Sequence, residues 1–163
     1  MKKTCVLTGI VLLILLMGCS RYDDGPWISF RTAKNRVVGT WQVEKLLIND
    51  QDSTELYREQ IGCEWEFTDE LFTEDLDNVY VINLKNCIVD SIYYGRWYFK
   101  DPTKVKLSVS TDTTNYPIGP IGRNGTWDIL RLTNNEMNLF STTWAGQWER
   151  QDEANYYLEL KKL

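Results

Sequence analysis

The stretch that decides the fold is VVGTWQVEKLLIND, residues 37–50, in which a Gly-x-Trp motif opens a segment of alternating apolar residues. Alternation with a period of two is typical of a β-strand with one buried face and one face in water. The motif recurs at Gly95-Arg96-Trp97, Gly125-Thr126-Trp127 and Gly146-Gln147-Trp148. Only the first copy stands at the start of the first predicted strand.

The rest of the chain repeats this strand pattern. Over residues 61–67, isoleucine, cysteine, tryptophan and phenylalanine alternate with glycine and glutamate. Further strands are predicted at 79–87, 91–100, 105–109, 126–133, 137–144 and 156–163, whereas residues 53–60 alone read as helical. We therefore predict an all-β fold, an antiparallel eight-stranded up-and-down barrel with one short helix, because closure leaves no unpaired edge. A two-sheet sandwich is the alternative.

The N-terminal segment predicts a lipoprotein leader. Lys2 and Lys3 precede an uncharged run over residues 6–17, shorter than the about 20 apolar residues that a spanning helix needs. The run ends in Leu16-Met17-Gly18-Cys19, which resembles the lipobox of bacterial lipoproteins. That resemblance implies a signal peptide over residues 1–18 and acyl chains of the palmitate type on Cys19. The tether would then cover residues 19–36 and the barrel domain residues 37–163.

Charge and the residues behind the cysteine predict the compartment. Removing residues 1–18 takes away two lysines and no acid, so 16 basic and 23 acidic residues remain and the net charge is −7. This acidic balance argues against nucleic acid as a partner. Ser20 resembles the Gram-negative sorting signal for the outer membrane, and Asp23-Asp24 is similar to the acidic tags of surface-exported lipoproteins. We predict an outer-membrane lipoprotein that faces the periplasm or the cell surface and is held through Cys19.

Gly39-Thr40-Trp41 at the first strand of a small eight-stranded domain resembles the first motif of the lipocalins, relatives of the intracellular fatty-acid-binding proteins. The run GTWDILRLTNNEMNL, residues 125–139, is similar to the late hairpin of bacterial lipocalin-like lipoproteins. In such barrels the tryptophan plugs the closed end beneath a basic side chain. The resemblance therefore implies a barrel-base motif of Gly39 and Trp41, with Arg150, Lys161 or Lys162 as the cover.

The same resemblance implies a small apolar or amphipathic molecule inside the barrel. Its predicted lining is the set of strand aromatics Trp65, Phe67, Trp97, Phe99, Trp127 and Phe140. The final strand lacks the Arg-x-Tyr pair with which fatty-acid-binding proteins hold a carboxylate. Arg96 and Arg131 are expected to face solvent, since arginine is rarely buried without a partner.

Catalysis finds little support in the residues. The chain has no histidine, which removes imidazole bases and most zinc sites. The sequence shows no two carboxyl groups paired across a cleft, and the acidic segment around residues 69–77 lacks the spacing of a calcium loop. We predict no enzymatic activity, no metal site and no cofactor.

Two cysteines, Cys63 and Cys87, remain in the exported domain once Cys5 is removed and Cys19 is acylated. They lie equally far from a hairpin turn near residue 75, and an oxidising compartment favours a disulfide between them. The same register places Trp65 opposite Lys85, which is awkward for a buried face. Two free thiols therefore stay the alternative.

Three functions follow as hypotheses. A lipocalin-like protein would bind an apolar or amphipathic small molecule. A structural or assembly lipoprotein would have its barrel filled by the abundant aromatic side chains and would bind an envelope protein partner. A surface glycan-binding module would stack sugars on exposed aromatics such as Tyr93, Tyr94, Trp144, Tyr156 or Tyr157.

Overall fold

The fold is a sheet of sequential antiparallel strands. A computed structural model describes residues 31–88, 93–111, 125–145 and 152–163. In chain order the elements are α1 (Ala33–Val37), β1 (Gly39–Ile48), β2 (Gln51–Asp52), α2 (Thr54–Gln60), β3 (Glu64–Leu71), β4 (Tyr80–Lys85), β5 (Tyr93–Phe99), β6 (Lys106–Thr111), β7 (Gly125–Leu132), β8 (Glu136–Ala145) and β9 (Asp152–Lys162).

The sheet closes into a barrel. Each long strand pairs antiparallel with the next along the chain, and β9 pairs with β1 from Trp41 opposite Lys162 to Ile48 opposite Tyr156. The two-residue β2 only extends the end of β1, so eight strands form the wall. The predicted antiparallel eight-stranded barrel is confirmed, and the pairing of the first with the last strand excludes the two-sheet sandwich. The architecture is compatible with a lipocalin-like fold.

The core lies inside the barrel because alternate residues of every strand point inward. We call the end where β1 begins the base and the end where it finishes the mouth. The largest inward side chains on the strands have less than 2% of their surface exposed: Trp41, Leu46, Trp65, Phe67, Ile82, Trp97, Leu107, Trp127, Leu132, Met137 and Leu139. Burying each of them contributes roughly 1.5 to 3 kcal/mol of transfer free energy.

The predicted pairing of β3 with β4 is wrong by one residue. Trp65 lies opposite Leu84, and Lys85 lies opposite Glu64. Leu84 therefore joins the inward face with Trp65, while Lys85 points outward and forms an ion pair with Glu66 at 2.6 Å. The awkward contact of a lysine with a buried tryptophan does not arise.

The described part of the chain contains two helices where the sequence predicts one. Helix α2 begins within one residue of the predicted segment. Helix α1 lies in the segment predicted as tether, and its Ala33 and Val37 are buried against the barrel. No helix within the described ranges is long and apolar enough to cross a membrane.

Candidate functional site

The base of the barrel is closed by Lys162, which lies over Trp41. The two residues are directly opposite each other on β9 and β1, and Lys162 Nζ is 5.0 Å from the centroid of the Trp41 ring. The ammonium group also donates hydrogen bonds to Val38 O at 2.6 Å and Arg36 O at 3.1 Å. Burial, and secondly repulsion from Arg31, lowers the pKa of Lys162. The two carbonyl groups and the ring oppose that shift by favouring the charged form.

Of the two predicted covers that the structure describes, Lys162 lies on the plug and Lys161 does not. Lys161 is exposed on the outer surface, where its Nζ is 4.0 Å from Glu44 Oε1. Arg150 lies outside the described residues, as does Cys19, the predicted site of lipidation.

Gly39 makes the contact between Lys162 and Trp41 possible. Its φ of 136° is one that residues with a side chain rarely adopt. A Cβ built on Gly39 would also overlap Cε of Lys162. The glycine of the first motif therefore leaves room for the lysine that covers the tryptophan.

Helix α1 completes the closed base. Trp41 Nε1 donates to Val37 O at 2.7 Å, and Arg36 Nη1 donates to Leu132 O at 2.9 Å. These bonds tie the helix to the plug and to the end of β7. No helical pattern of apolar residues marks this segment, because five residues are too few for periodicity to show.

Aromatic side chains fill the barrel next to the base. The Trp97 ring contacts Phe67 edge-on, with 5.7 Å between centroids, and Phe99 edge-on at 5.8 Å. Tyr80 lies 5.0 Å from the same ring. Trp97 Nε1 donates to Thr68 O at 3.0 Å, so its one polar group is satisfied. Trp65, Phe67, Trp97, Phe99 and Trp127, all predicted as lining, do point into the barrel.

Phe140 does not line the interior, which corrects the prediction. On β8 the inward residues are Met137, Leu139 and Ser141, and each of them is buried. Phe140 alternates with them and pairs with Asp128 and Tyr157 on the outer face. The aromatic character of Phe140 suggested burial, whereas its position in the period of two places it outside.

At the mouth, helix α2 is held to the barrel by a buried tyrosine. Tyr57 Oη donates to Cys63 O at 3.1 Å and accepts a hydrogen bond from Trp65 Nε1 at 3.1 Å. Burial raises the pKa of Tyr57 to about 12. The spacing of Thr54 and Tyr57, both buried on one face of the helix, is the sequence signal that would have identified this residue.

A disulfide links Cys63 to Cys87 at the same end of the barrel. It joins the segment before β3 to the segment after β4, and Ile88 N donates to Ile61 O at 3.0 Å beside it. The link and this hydrogen bond hold the two segments together at the mouth.

The later Gly-x-Trp motifs differ from the first because their strands run the other way. Strand β1 runs from base to mouth, so Gly39 lies on the base side of Trp41. Strands β5 and β7 run from mouth to base, and each glycine there lies on the mouth side of its tryptophan. Gly95 and Gly125 are both buried. On each of these strands, the inward residue next to the tryptophan on the mouth side is therefore a glycine, which has no side chain.

Strands β8 and β9 continue this pattern of small inward residues. Ser141 on β8 follows Leu139, and Ala154 on β9 lies one inward position closer to the mouth than Tyr156. Both small residues are buried. We call Gly95, Gly125, Ser141 and Ala154 the mouth wall. Each of these four inward positions carries glycine, serine or alanine in place of a large side chain.

Two polar groups border the mouth wall. Trp127 is fully buried, and its Nε1 finds no hydrogen-bond acceptor among the residues that the structure describes. Tyr156 points inward opposite Ser141 with 3% of its surface exposed, and burial raises its pKa. Tyr156, Leu158 and Leu160 alternate along β9 and all point inward. This alternation is the sequence signal that could have predicted the burial of Tyr156.

The remaining predicted groups lie on the outer surface. Arg131 Nε pairs with Glu136 at 2.8 Å, and Arg96 is exposed with its guanidinium 6.0 Å from the centroid of Phe72. Among the aromatics proposed for sugar stacking, Tyr94 is 57% exposed, Tyr157 is half-buried and Tyr156 is buried. The side chains of Tyr93 and Trp144 lie outside the described residues. Nowhere in the described ranges do three acidic or cysteine side chains converge as metal ligands.

Comparison of the chain with protein-family models, with curated proteins and with solved structures gave no match.

Proposed function

We propose that the protein is a lipid-anchored binding protein that holds a small apolar or amphipathic molecule in the mouth half of its barrel. The observation that carries the proposal is the direction of the repeated motif. Gly95 and Gly125 lie on the mouth side of Trp97 and Trp127, so on both strands the ring stands toward the base and the residue without a side chain stands toward the mouth.

The two ends of the barrel support this division of roles. At the base, Lys162, Trp41 and α1 form a sealed end, which gives a bound molecule one direction of entry. At the mouth, the walls are small or apolar and the available polar groups are few. Eight-stranded barrels are just wide enough to hold one small ligand, and binding sites are typically apolar with a few polar groups that fix orientation.

The proposed anchor fits the same geometry. The chain enters the barrel at the base, because α1 begins there after Thr32. Acyl chains on Cys19 would therefore hold the protein at the outer membrane from its base side, in the periplasm or on the cell surface. In this arrangement binding, rather than catalysis, is the role that we assign to the barrel.

Binding of N-phenyl-1-naphthylamine, an apolar fluorescent probe, tests the proposal. The exported chain with Cys19→Ser keeps every described residue and needs no detergent. We expect saturable fluorescence enhancement at one site per chain. Ala154→Phe would fill the mouth wall and reduce the affinity at least tenfold, while Gln42→Phe, on the exposed face of β1, would leave it within about twofold.

Two results would reject this function. One is the absence of saturable binding by a protein whose far-ultraviolet spectrum shows a folded barrel. The other is equal affinity of the Ala154→Phe and Gln42→Phe variants, since the probe would then be bound on the outer surface.

A structural or assembly role is the second candidate. The observation that favours it is the dense aromatic filling of the base half, where Trp41, Phe67 and Trp97 are at most 1% exposed. The outward pair of Phe140 and Tyr157 would be part of a partner surface. A photoreactive amino acid at position 140 should then form a discrete crosslinked product in cells, and its absence, with a control at position 42 equally unreactive, would count against this role.

A further inference from the structure

The described inward tryptophans differ in whether the indole Nε1 has a hydrogen-bond acceptor. Trp41 Nε1 donates to Val37 O at 2.7 Å, Trp65 Nε1 to Tyr57 Oη at 3.1 Å and Trp97 Nε1 to Thr68 O at 3.0 Å. Trp127 is as deeply buried, yet no described residue accepts a hydrogen bond from its Nε1.

The neighbours of Trp127 explain why the protein leaves this group unpaired. Leu107 lies opposite on β6, and Ile129 is the next inward residue toward the base. Ser141 lies on the other neighbouring strand; its hydroxyl donates to Thr126 O at 2.7 Å and accepts no hydrogen bond from the indole. On the mouth side of the indole stands Gly125, which has no side chain. A buried donor without an acceptor costs about 1 to 3 kcal/mol, so its presence requires an explanation, and a bound partner that accepts the hydrogen bond supplies one.

Tyr156 supplies a second neutral polar group near the same space. It points inward two strands away from Trp127, with Ser141 between them in the sheet. Its side chain makes no hydrogen bond to a described residue, and its hydroxyl carries a proton to donate at neutral pH.

The described inward side chains around this space carry no formal charge. Leu46, Cys63, Leu84, Ser141, Ala154 and Tyr156 are all neutral. Lys162, the inward cation, lies at the base behind Trp41 and is bonded to two carbonyl groups, while Arg96 and Arg131 point outward. A carboxylate in the mouth half would thus meet neutral donors, and burying a charge without a partner is strongly unfavourable.

From these observations we propose that the bound molecule is uncharged and carries an oxygen acceptor, of the ketone or ester class, which receives a hydrogen bond from Trp127 Nε1. Its apolar part occupies the space beside Gly95, Gly125 and Ala154. This inference rests on the proposed binding function and specifies which chemistry the mouth half selects.

Competition against N-phenyl-1-naphthylamine tests the inference. The competitors are 2-decanone and decanoate, which share chain length and differ in charge. On the Cys19→Ser chain we expect 2-decanone to displace the probe and decanoate to do so at least tenfold less well. Trp127→Phe should weaken 2-decanone about tenfold more than it weakens the probe, which has no oxygen, and this ratio is the equivalent of one hydrogen bond.

The matched control is Trp97→Phe, which removes an indole already bonded to Thr68 O. Because it removes no free donor, it should change the affinities for 2-decanone and for the probe by the same factor. Equal binding of 2-decanone by the Trp127→Phe variant would overturn the hydrogen bond, and decanoate binding as tightly as the ketone would overturn the neutral class. Absence of probe binding by the unaltered chain would instead reject the binding function itself.

A measurement on the unaltered chain keeps the inference testable if a variant fails to fold. In a ¹H–¹⁵N spectrum the indole resonance of Trp127 should shift downfield on titration with 2-decanone, and those of Trp41 and Trp97 should stay in place. Saturable binding without movement of the Trp127 resonance would overturn the proposed contact.

Discussion

Replacing Lys162 by methionine removes the ammonium group that seals the base but keeps most of its aliphatic stem. Lys162 Nζ makes two hydrogen bonds to carbonyl groups, at 2.6 and 3.1 Å, and lies 5.0 Å from the Trp41 ring centroid. A hydrogen bond from a charged donor contributes about 1.5 to 3 kcal/mol and a cation–π contact about 1 kcal/mol. Part of this is offset because methionine needs no desolvation of a charge. We expect a net loss of about 3 kcal/mol.

Thermal and urea unfolding of the Cys19→Ser chain measure this loss. For a domain of this size, about 3 kcal/mol corresponds to a fall in the melting temperature of roughly 10 °C. Lys161→Met is the matched control, because the neighbouring lysine is exposed and 4.0 Å from Glu44, and it should change the free energy of unfolding by less than about 0.5 kcal/mol. Equal unfolding free energies of the two variants would refute the idea that Lys162 seals the base.

Three further predictions concern stability. Gly39→Ala should destabilise the barrel by about 1 to 3 kcal/mol through its positive φ and the displacement of Lys162, and its effect should be less than additive with Lys162→Met; full additivity in urea unfolding would argue against the shared contact. Because burial raises the pKa of Tyr57 from 10.0 to about 12, the stability it contributes should be complete below pH 10 and be lost between pH 10 and pH 12, by roughly 1.4 kcal/mol per pH unit at most. A urea midpoint that stays constant from pH 9 to pH 11.5 would contradict this shift. Reducing the disulfide of Cys63 and Cys87, which are 24 residues apart, should lower the free energy of unfolding by about 3 kcal/mol. Two free thiols in the non-reducing mass spectrum of the exported protein would rule the bond out.

Much of the fold could be predicted from sequence because its main signal is local. Alternation of apolar residues marked the strands, and their number and order favoured closure. The register of β3 with β4 could not be predicted in the same way, since it depends on where the connecting turn begins and on a shift between Phe67 and Leu71. Helix α1 was missed because its five residues are stabilised by contacts with Trp41 and Leu132 rather than by their own pattern.

The candidate site was only partly predictable. Resemblance to a known family pointed to Trp41 and to three basic residues above it, but the choice of Lys162 depends on the pairing of β9 with β1. The same applies to Phe140, whose outward position follows from its parity with Leu139 and not from its aromatic character. The unpaired Nε1 of Trp127 is a property of its surroundings, so no sequence pattern could have distinguished it from Trp97.

Strand direction decides which end of the barrel the glycine of each Gly-x-Trp motif lies toward. In β1 the glycine faces the base and admits the lysine over the plug. In β5 and β7 the strand is reversed, so the same motif places its glycine toward the mouth. One motif therefore supports both the sealed end and the proposed binding end of the barrel.

The mouth half of the barrel, bounded by Gly95, Gly125 and Trp127, is where the proposed molecule would be seen directly. A crystal structure of the Cys19→Ser chain with 10-bromo-2-decanone would locate the bromine by its anomalous signal and the ketone by its density. We predict the chain inside the mouth half, with the ketone oxygen about 3 Å from Trp127 Nε1. Bromine found only on the outer surface, with the space beside the two glycines filled by protein side chains, would contradict the central claim.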